Sequence, residues 1–172
     1  IAYIIKMRVT LLRDLGAAMS PFNAFMFLQG LETVPLRIRE HSKNAATVAN
    51  FLSKRDDVTT VIYPTLHADK ESKARTAKYL SGGSGGLVGF ELKGGSEAGR
   101  AFIDSLGMHY HVANIGDARS LAIHPATTTH SQLTPEEQVA SGVTDGYVRL
   151  SVGIEHIDDI LTDLSQALDK AS

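Results

Sequence analysis

The chain has 172 residues, 17 Lys and Arg against 19 Asp and Glu for a formal net charge of −2, and 43% hydrophobic residues. It is long enough to bury a real core, and its charge singles out neither nucleic acid nor an anionic membrane as a partner. Cysteine is absent, which excludes disulfides, Cys-based zinc sites and thiol catalysis and gives no sign of secretion.

No apolar run reaches the length of a membrane span. The opening Ile1-Ala2-Tyr3-Ile4-Ile5-Lys6 has neither a basic leader nor a cleavage pattern, so a signal peptide is not expected and the location expected is cytoplasmic. The missing initiator Met fits a truncated or processed start.

Residues 1–15 read as a helix with Ile5, Val9, Leu12 and Leu15 on one stripe, ended by Gly16. Ser20-Pro21 reads as an N-cap followed by proline at the first helical position. The helix it opens, with Phe22, Phe25, Met26 and Phe27, is apolar almost all round and is expected to pack in a core. Thr33-Val34-Pro35 opens a long helix to about Leu52, with Ala45, Val48, Ala49 and Leu52 as its core stripe and Arg37, Arg39, Glu40 and Lys43 in water.

Residues 58–63 form a short β-branched strand stopped by Pro64. The basic run Lys70, Lys73, Arg75 and Lys78 reads as the solvated face of a short helix. Gly82-Gly83-Ser84-Gly85-Gly86 lacks the ending of a phosphate-binding loop and precedes a strand, Leu87 to Leu92, so it reads as a turn. Ser96 is expected to cap a helix carrying Phe102, Ile103 and Leu106, and Gly107 to end it. Met108 to Val112 reads as the next strand, with His109 and His111 on one face as a non-metal pair.

Residues 113–130 read as an ordered functional loop rich in turn formers, with His124 and His130 packing in it and bonding to backbone. Thr134-Pro135-Glu136-Glu137 is a capping box opening a short helix. Val148, Leu150 and Val152 alternate with Tyr147, Arg149 and Ser151, the period of a strand with one polar face. A guanidinium projecting from such a strand can grip a carboxylate with two parallel hydrogen bonds; a solvated sheet face is the competing reading of Arg149. A last helix covers about 157–170 with Ile157, Ile160, Leu161, Leu164 and Leu168 inward. Together these elements predict an α+β fold: a mainly antiparallel sheet with helices on one face.

Residues 114–130, Asn-Ile-Gly-Asp-Ala-Arg-Ser-Leu-Ala-Ile-His-Pro-Ala-Thr-Thr-Thr-His, and 148–155, Val-Arg-Leu-Ser-Val-Gly-Ile-Glu, closely resemble the carboxy-terminal part of the Cys/Met-metabolism family of pyridoxal-phosphate enzymes. The resemblance covers essentially the whole chain. It implies the small carboxy-terminal domain of a fold-type I enzyme in residues 33–172, preceded in residues 1–32 by the last helices of a large cofactor domain. It implies pyridoxal phosphate as cofactor, held mainly by that large domain, and a homotetramer as assembly.

The lysines sit on helix surfaces or turns, and Lys6 lacks the family's lysine motif, so no cofactor-binding or catalytic residue is assigned. By the same resemblance, Arg149 matches the arginine that binds an amino acid's α-carboxylate, and Asn114 the position, often serine in relatives, that helps hold it. Ala113 stands where cystathionine-handling relatives often carry Glu. That favours a sulfhydrylase acting on O-acetylhomoserine and sulfide to give homocysteine and acetate. Open alternatives are a methionine γ-lyase, a cystathionine γ-synthase-like enzyme, or a stand-alone non-catalytic amino-acid-binding or interaction module.

Overall fold

The computed structural model describes residues 1–172, which divide into two compact units, Ile1–Pro35 and Leu36–Ser172.

The first unit is helical. α1 (Ala2–Lys6) runs through a π-helical stretch (Met7–Leu12) into α2 (Arg13–Leu15), and Gly16 ends it at φ 66°, the left-handed cap conformation that glycine adopts freely. α3 (Pro21–Glu32) starts as its sequence dictates: Ser20 is the N-cap, its Oγ accepting the Asn23 N–H at 3.2 Å, and Pro21 needs no donor there. Core packing of this helix is not what the chain provides. Phe22, Phe25, Met26 and Phe27 are 55–69% exposed, and the unit has no buried residue. Thirty-five residues offer too little material to cover an all-round apolar helix.

The second unit opens within α4 (Val34–Leu52). It continues through β1 (Val58–Ile62), a 3-10 turn (Pro64–Leu66), α5 (Lys70–Tyr79), β2 (Leu87–Leu92), α6 (Gly95–Ser105), β3 (Tyr110–His111), β4 (Leu121–Ile123), a second 3-10 turn (Pro125–Thr127), α7 (Pro135–Ala140), β5 (Tyr147–Ser151) and α8 (Ile157–Ala171). The sheet order is β1-β2-β5-β4-β3. β1/β2, β2/β5 and β4/β5 are antiparallel and β3/β4 is parallel, which makes the sheet mainly antiparallel.

Alternation in β2 and β5 sends Val88, Phe90, Leu92, Val148 and Leu150 to one face, where they meet Ala45, Val48 and Leu52 of α4, Phe102 of α6, and Ile160, Leu164 and Leu168 of α8 in one core. Each fully buried Leu or Phe there contributes roughly 1.5–3 kcal/mol. Phe90 and Phe102 meet edge to face at 5.4 Å between centroids. The opposite face carries Leu87, Gly89 and Glu91 beside Tyr147, Arg149 and Ser151.

Three local expectations need correction. Leu121–Ile123, inside the expected loop, is a strand; buried at all three positions, it has no alternation to betray it. The strand expected at 108–112 shrinks to Tyr110–His111 because its neighbour β4 is itself only three residues long. Ser96 does not cap α6: Gly94 is the N-cap without a side-chain bond, and Gly95, at φ 62°, turns the chain before Ser96 is reached. Leu106, not Gly107, is the C-cap.

Candidate functional site

Arg149 stands mid-strand on the polar face of β5, opposite Gly89 of β2 and Ile123 of β4. Its Nη2 donates to the Asn114 carbonyl oxygen at 3.2 Å, and its Nε–H is buried with no acceptor. The guanidinium is therefore aimed by a neutral carbonyl, not neutralised by an acid, and keeps donors to give. Asn114 turns its side chain back on the chain, Oδ1 accepting the Ile115 N–H at 2.9 Å. A carbonyl cannot bind a carboxylate, so the donors that Asn114 can still offer one are its own N–H and its side-chain amide.

A dense network holds this loop. Gly116, at φ 73°, donates its N–H to Ser151 Oγ at 3.1 Å. Asp117 Oδ1 accepts the Arg119 N–H at 3.0 Å, and the Arg119 guanidinium lies 4.8 Å from the Tyr110 ring centroid. Ser120 gives its N–H to Glu155 Oε1 at 2.6 Å and its hydroxyl to Glu155 Oε2 at 2.9 Å, while its Oγ accepts the Gly153 N–H at 2.9 Å. From α4, Asn44 Nδ2 donates to the carbonyls of Gly153, 3.2 Å, and Glu155, 3.0 Å. Sequence reasoning missed Asn44, Ser120 and Glu155 as supports; the signal for Glu155 was its place at the end of the quoted 148–155 phrase.

Alongside lies a cavity of about 300 Å³ lined by Ile38, His41, Gly86, Leu87, Ile115, Gly116 and Ser151. His41 is 2% exposed; its Nδ1 is 2.6 Å from the Val152 carbonyl oxygen and its Nε2 has no partner.

The remaining histidines do other work. His124 is buried, Nε2 at 2.7 Å from the Asp145 carbonyl and Nδ1 at 2.9 Å from Thr127 Oγ1, the backbone-bound packing role expected of it. His130 Nδ1 meets Thr129 Oγ1 at 2.9 Å. The pair His109 and His111 is split: His109 is buried on Asp163, 2.8 Å from Nδ1 to Oδ2, and His111 is exposed.

Residues 3–169 match the family model described as Cys/Met metabolism PLP-dependent enzyme. The chain belongs to that family. It is 56% identical over 168 residues to the O-acetyl-L-homoserine sulfhydrylase of Leptospira meyeri, covering 98% of this chain and 38% of that protein. It is 42% identical to the L-methionine gamma-lyase of Pseudomonas putida, covering 99% of this chain and 42% of the relative. A solved structure of a putative O-acetylhomoserine (thiol)-lyase from Campylobacter jejuni, carrying N'-pyridoxyl-lysine-5'-monophosphate, superposes with a TM-score of 0.88 at 44% identity over 96% of this chain and 39% of that one. The chain thus spans about two fifths of the length of these relatives. Within this family member, the Arg149 face has no lysine on β2, β4 or β5 and none in the adjoining cavity. These residues offer a guanidinium without an acid partner and no amine that could anchor pyridoxal phosphate covalently.

Proposed function

We propose that this chain is the carboxy-terminal part of a pyridoxal-phosphate-dependent sulfhydrylase that makes homocysteine and acetate from O-acetylhomoserine and sulfide, and that Arg149 anchors the substrate's α-carboxylate. In this reading residues 1–32 close the large cofactor domain and residues 33–172 form the small domain. The whole enzyme works as a cytoplasmic homotetramer. The cofactor supplies the electron sink; this chain binds and orients the amino acid.

One observation carries the reading: a half-buried guanidinium, fixed by the Asn114 carbonyl, with a buried N–H that has no acceptor. A carboxylate is the group that a guanidinium without an acid partner takes, and two charge-assisted hydrogen bonds set the orientation of the bonds to be broken. In this reading the Asn114 N–H or side-chain amide adds a third donor. The exposed apolar helices of residues 1–35 support further polypeptide covering them.

The test uses the full-length enzyme with O-acetylhomoserine and sulfide, with cystathionine and methionine as control substrates. Arg149→Ala is expected to raise KM for O-acetylhomoserine roughly 10- to 100-fold, the worth of one charged hydrogen-bonded contact. An unchanged KM refutes the clamp. Faster turnover of methionine than of O-acetylhomoserine with sulfide refutes the sulfhydrylase.

A further inference from the structure

A second cavity, of about 300 Å³, opens between α6 and the β3 edge of the sheet. Register places it on the face turned away from Arg149. His111 of β3 pairs with Ala122 of β4, and Ala122 pairs with Leu150 of β5. Residues side by side in a sheet share a face, and Ala122 and Leu150 belong to the helix-covered core. Arg100, Ile103 and Asp104 of α6 form one wall, as positions three and four apart on a helix do. His111, Thr127 and Thr128 form the other. The two walls meet at Gly99. A Cβ there would come within 2.6 Å of the His124 ring, so the missing side chain lets that buried ring lie against α6.

The polar groups facing this cavity are of two kinds, and the chain leaves the charged ones unpaired. Arg100 makes no hydrogen bond and no ion pair, although Asp104 stands one turn along the same helix. Asp104 and His111 make none either. All three residues are exposed, so a molecule in the cavity can reach them. The guanidinium and the imidazole bring donors. Thr127 and Thr128 direct their hydroxyls at the His124 carbonyl oxygen, at 3.3 and 2.9 Å. Their oxygens, like the Asp104 carboxylate, are left to accept.

A plain anion would set like charge against Asp104, and a plain cation would set it against Arg100. A small molecule bearing both charges answers both walls. An α-amino acid carries a carboxylate and an ammonium on one carbon, and Ile103 offers apolar surface to a short side chain. The volume suits a ligand of that size, since small-molecule pockets run from about 300 to 1,000 Å³.

We propose that this cavity binds a free α-amino acid, its carboxylate on Arg100 and His111 and its ammonium on Asp104 and the threonine oxygens. The proposal goes beyond the sulfhydrylase reading and does not depend on it, because the cavity shares no residue with the Arg149 face.

The test is equilibrium dialysis of the full-length enzyme with isotope-labelled L-alanine, with propionate and ethylamine as competitors that each lack one charge. Arg100→Gln and Asp104→Asn are each expected to weaken one component of L-alanine binding roughly tenfold, the worth of one charge-assisted hydrogen bond. Arg100→Lys keeps the charge and most of the affinity. Arg149→Ala leaves that component within about twofold, as expected of a remote change. Propionate and ethylamine displace it at least about tenfold less well than unlabelled L-alanine.

The absence of any L-alanine binding sensitive to Arg100→Gln overturns the proposal. So does binding that Arg149→Ala abolishes, which would place the amino acid on the other face. Propionate that competes as well as L-alanine, with Asp104→Asn without effect, marks a simple anion site and overturns the zwitterion. Failure of the sulfhydrylase reading shows separately, as full-length enzyme inactive on O-acetylhomoserine with sulfide, and leaves the Arg100-dependent binding in place.

Discussion

Glu155 grips Ser120 with both carboxylate oxygens, one on the backbone N–H at 2.6 Å and one on the hydroxyl at 2.9 Å. This joins the turn after β5 to the end of the loop that carries Asn114, so the aim of Arg149 depends on a carboxylate that never touches it. Glu155→Ala removes two charge-assisted hydrogen bonds and is expected to cost about 2 kcal/mol of stability. Because the loop moves, KM for the amino-acid substrate should rise several-fold more than kcat falls. Denaturant titration and steady-state kinetics on the full-length enzyme check both parts. A stability loss with an unchanged KM would mean that the loop keeps its position without this pair.

Asp163 gathers five donors: the backbone N–H groups of Gly107, 2.7 Å, Met108, 3.0 Å, and His109, 3.1 Å, the His109 ring, and the Gln166 side-chain amide, 3.2 Å. Burial pushes its carboxyl up, but the bonds from His109 and the three backbone groups outweigh this and hold it well below the usual carboxylate range. The unfolded chain then binds a proton before the folded one does. The stabilisation is full above the unfolded value of about 4 and is lost as pH falls through the folded value. Asp163→Asn should cost roughly 3 kcal/mol at neutral pH, with the gap from wild type narrowing below about pH 4. Urea titrations at a series of pH values measure it, and a gap independent of pH would exclude the charged form as the source.

His124 works on a different pH window. Burial holds its imidazole below the ordinary histidine range against the pull of the Asp145 carbonyl, and the charge of Arg100 adds to the depression. The neutral ring donates from Nε2 to Asp145 and accepts at Nδ1 from Thr127. Its contribution is full above the unfolded value of about 6.5 and declines as pH falls toward the lower folded value. His124→Gln is expected to flatten the pH dependence of stability just below about 6.5 and to lower stability at pH 8, since the amide cannot fill the ring's space. Thermal melts of both proteins between those conditions read the difference directly.

Local rules explain which parts of this fold were legible in the sequence. Ser20 and the Thr134–Glu137 box cap their helices because capping needs only residues within one turn. The alternation in β2 and β5 and the stripe of α8 follow from one-sided burial. What escaped was set from far along the chain. His41 and Asn44 of α4 carried no signal of their own in the sequence, yet both are buried against backbone about 110 residues away. Asp163 of α8 is likewise held by backbone N–H groups, 56 residues back at Gly107. β4 forms because β5 and β3 flank it, and α3 misled because its pattern signals burial without saying by which polypeptide. The proposed clamp was half legible: strand alternation placed Arg149 on a polar face, while the acid-free geometry around it needed the register of the Asn114 loop.

Two glycines near the clamp face neighbours of different kinds, and the contrast makes a final prediction. A Cβ on Gly153 would overlap Glu155 Oε2 and lie 2.5 Å from the Ala118 carbonyl oxygen and 2.6 Å from the Arg119 carbonyl carbon. Two of these atoms are backbone of the loop already tied by Ser120 and by the Ile154 N–H on Ala118 O, 2.9 Å, so the loop can yield only by giving up those bonds. On Gly89, directly opposite Arg149, a Cβ would meet the hydroxyl of Tyr147 at 2.6 Å and its Cε2 at 2.8 Å, the far end of a side chain that can swing away. Gly153→Ala should therefore cost about 2–3 kcal/mol, at the upper end for overpacking, and weaken amino-acid binding because the Asn114 carbonyl shifts. Gly89→Ala should cost less than about 1.5 kcal/mol, in line with a site that can repack. Equal losses in parallel melts would mean that the Ala118–Arg119 backbone is as free to move as a tyrosine ring, and the network assigned to Glu155 and Ser120 would then not be rigid.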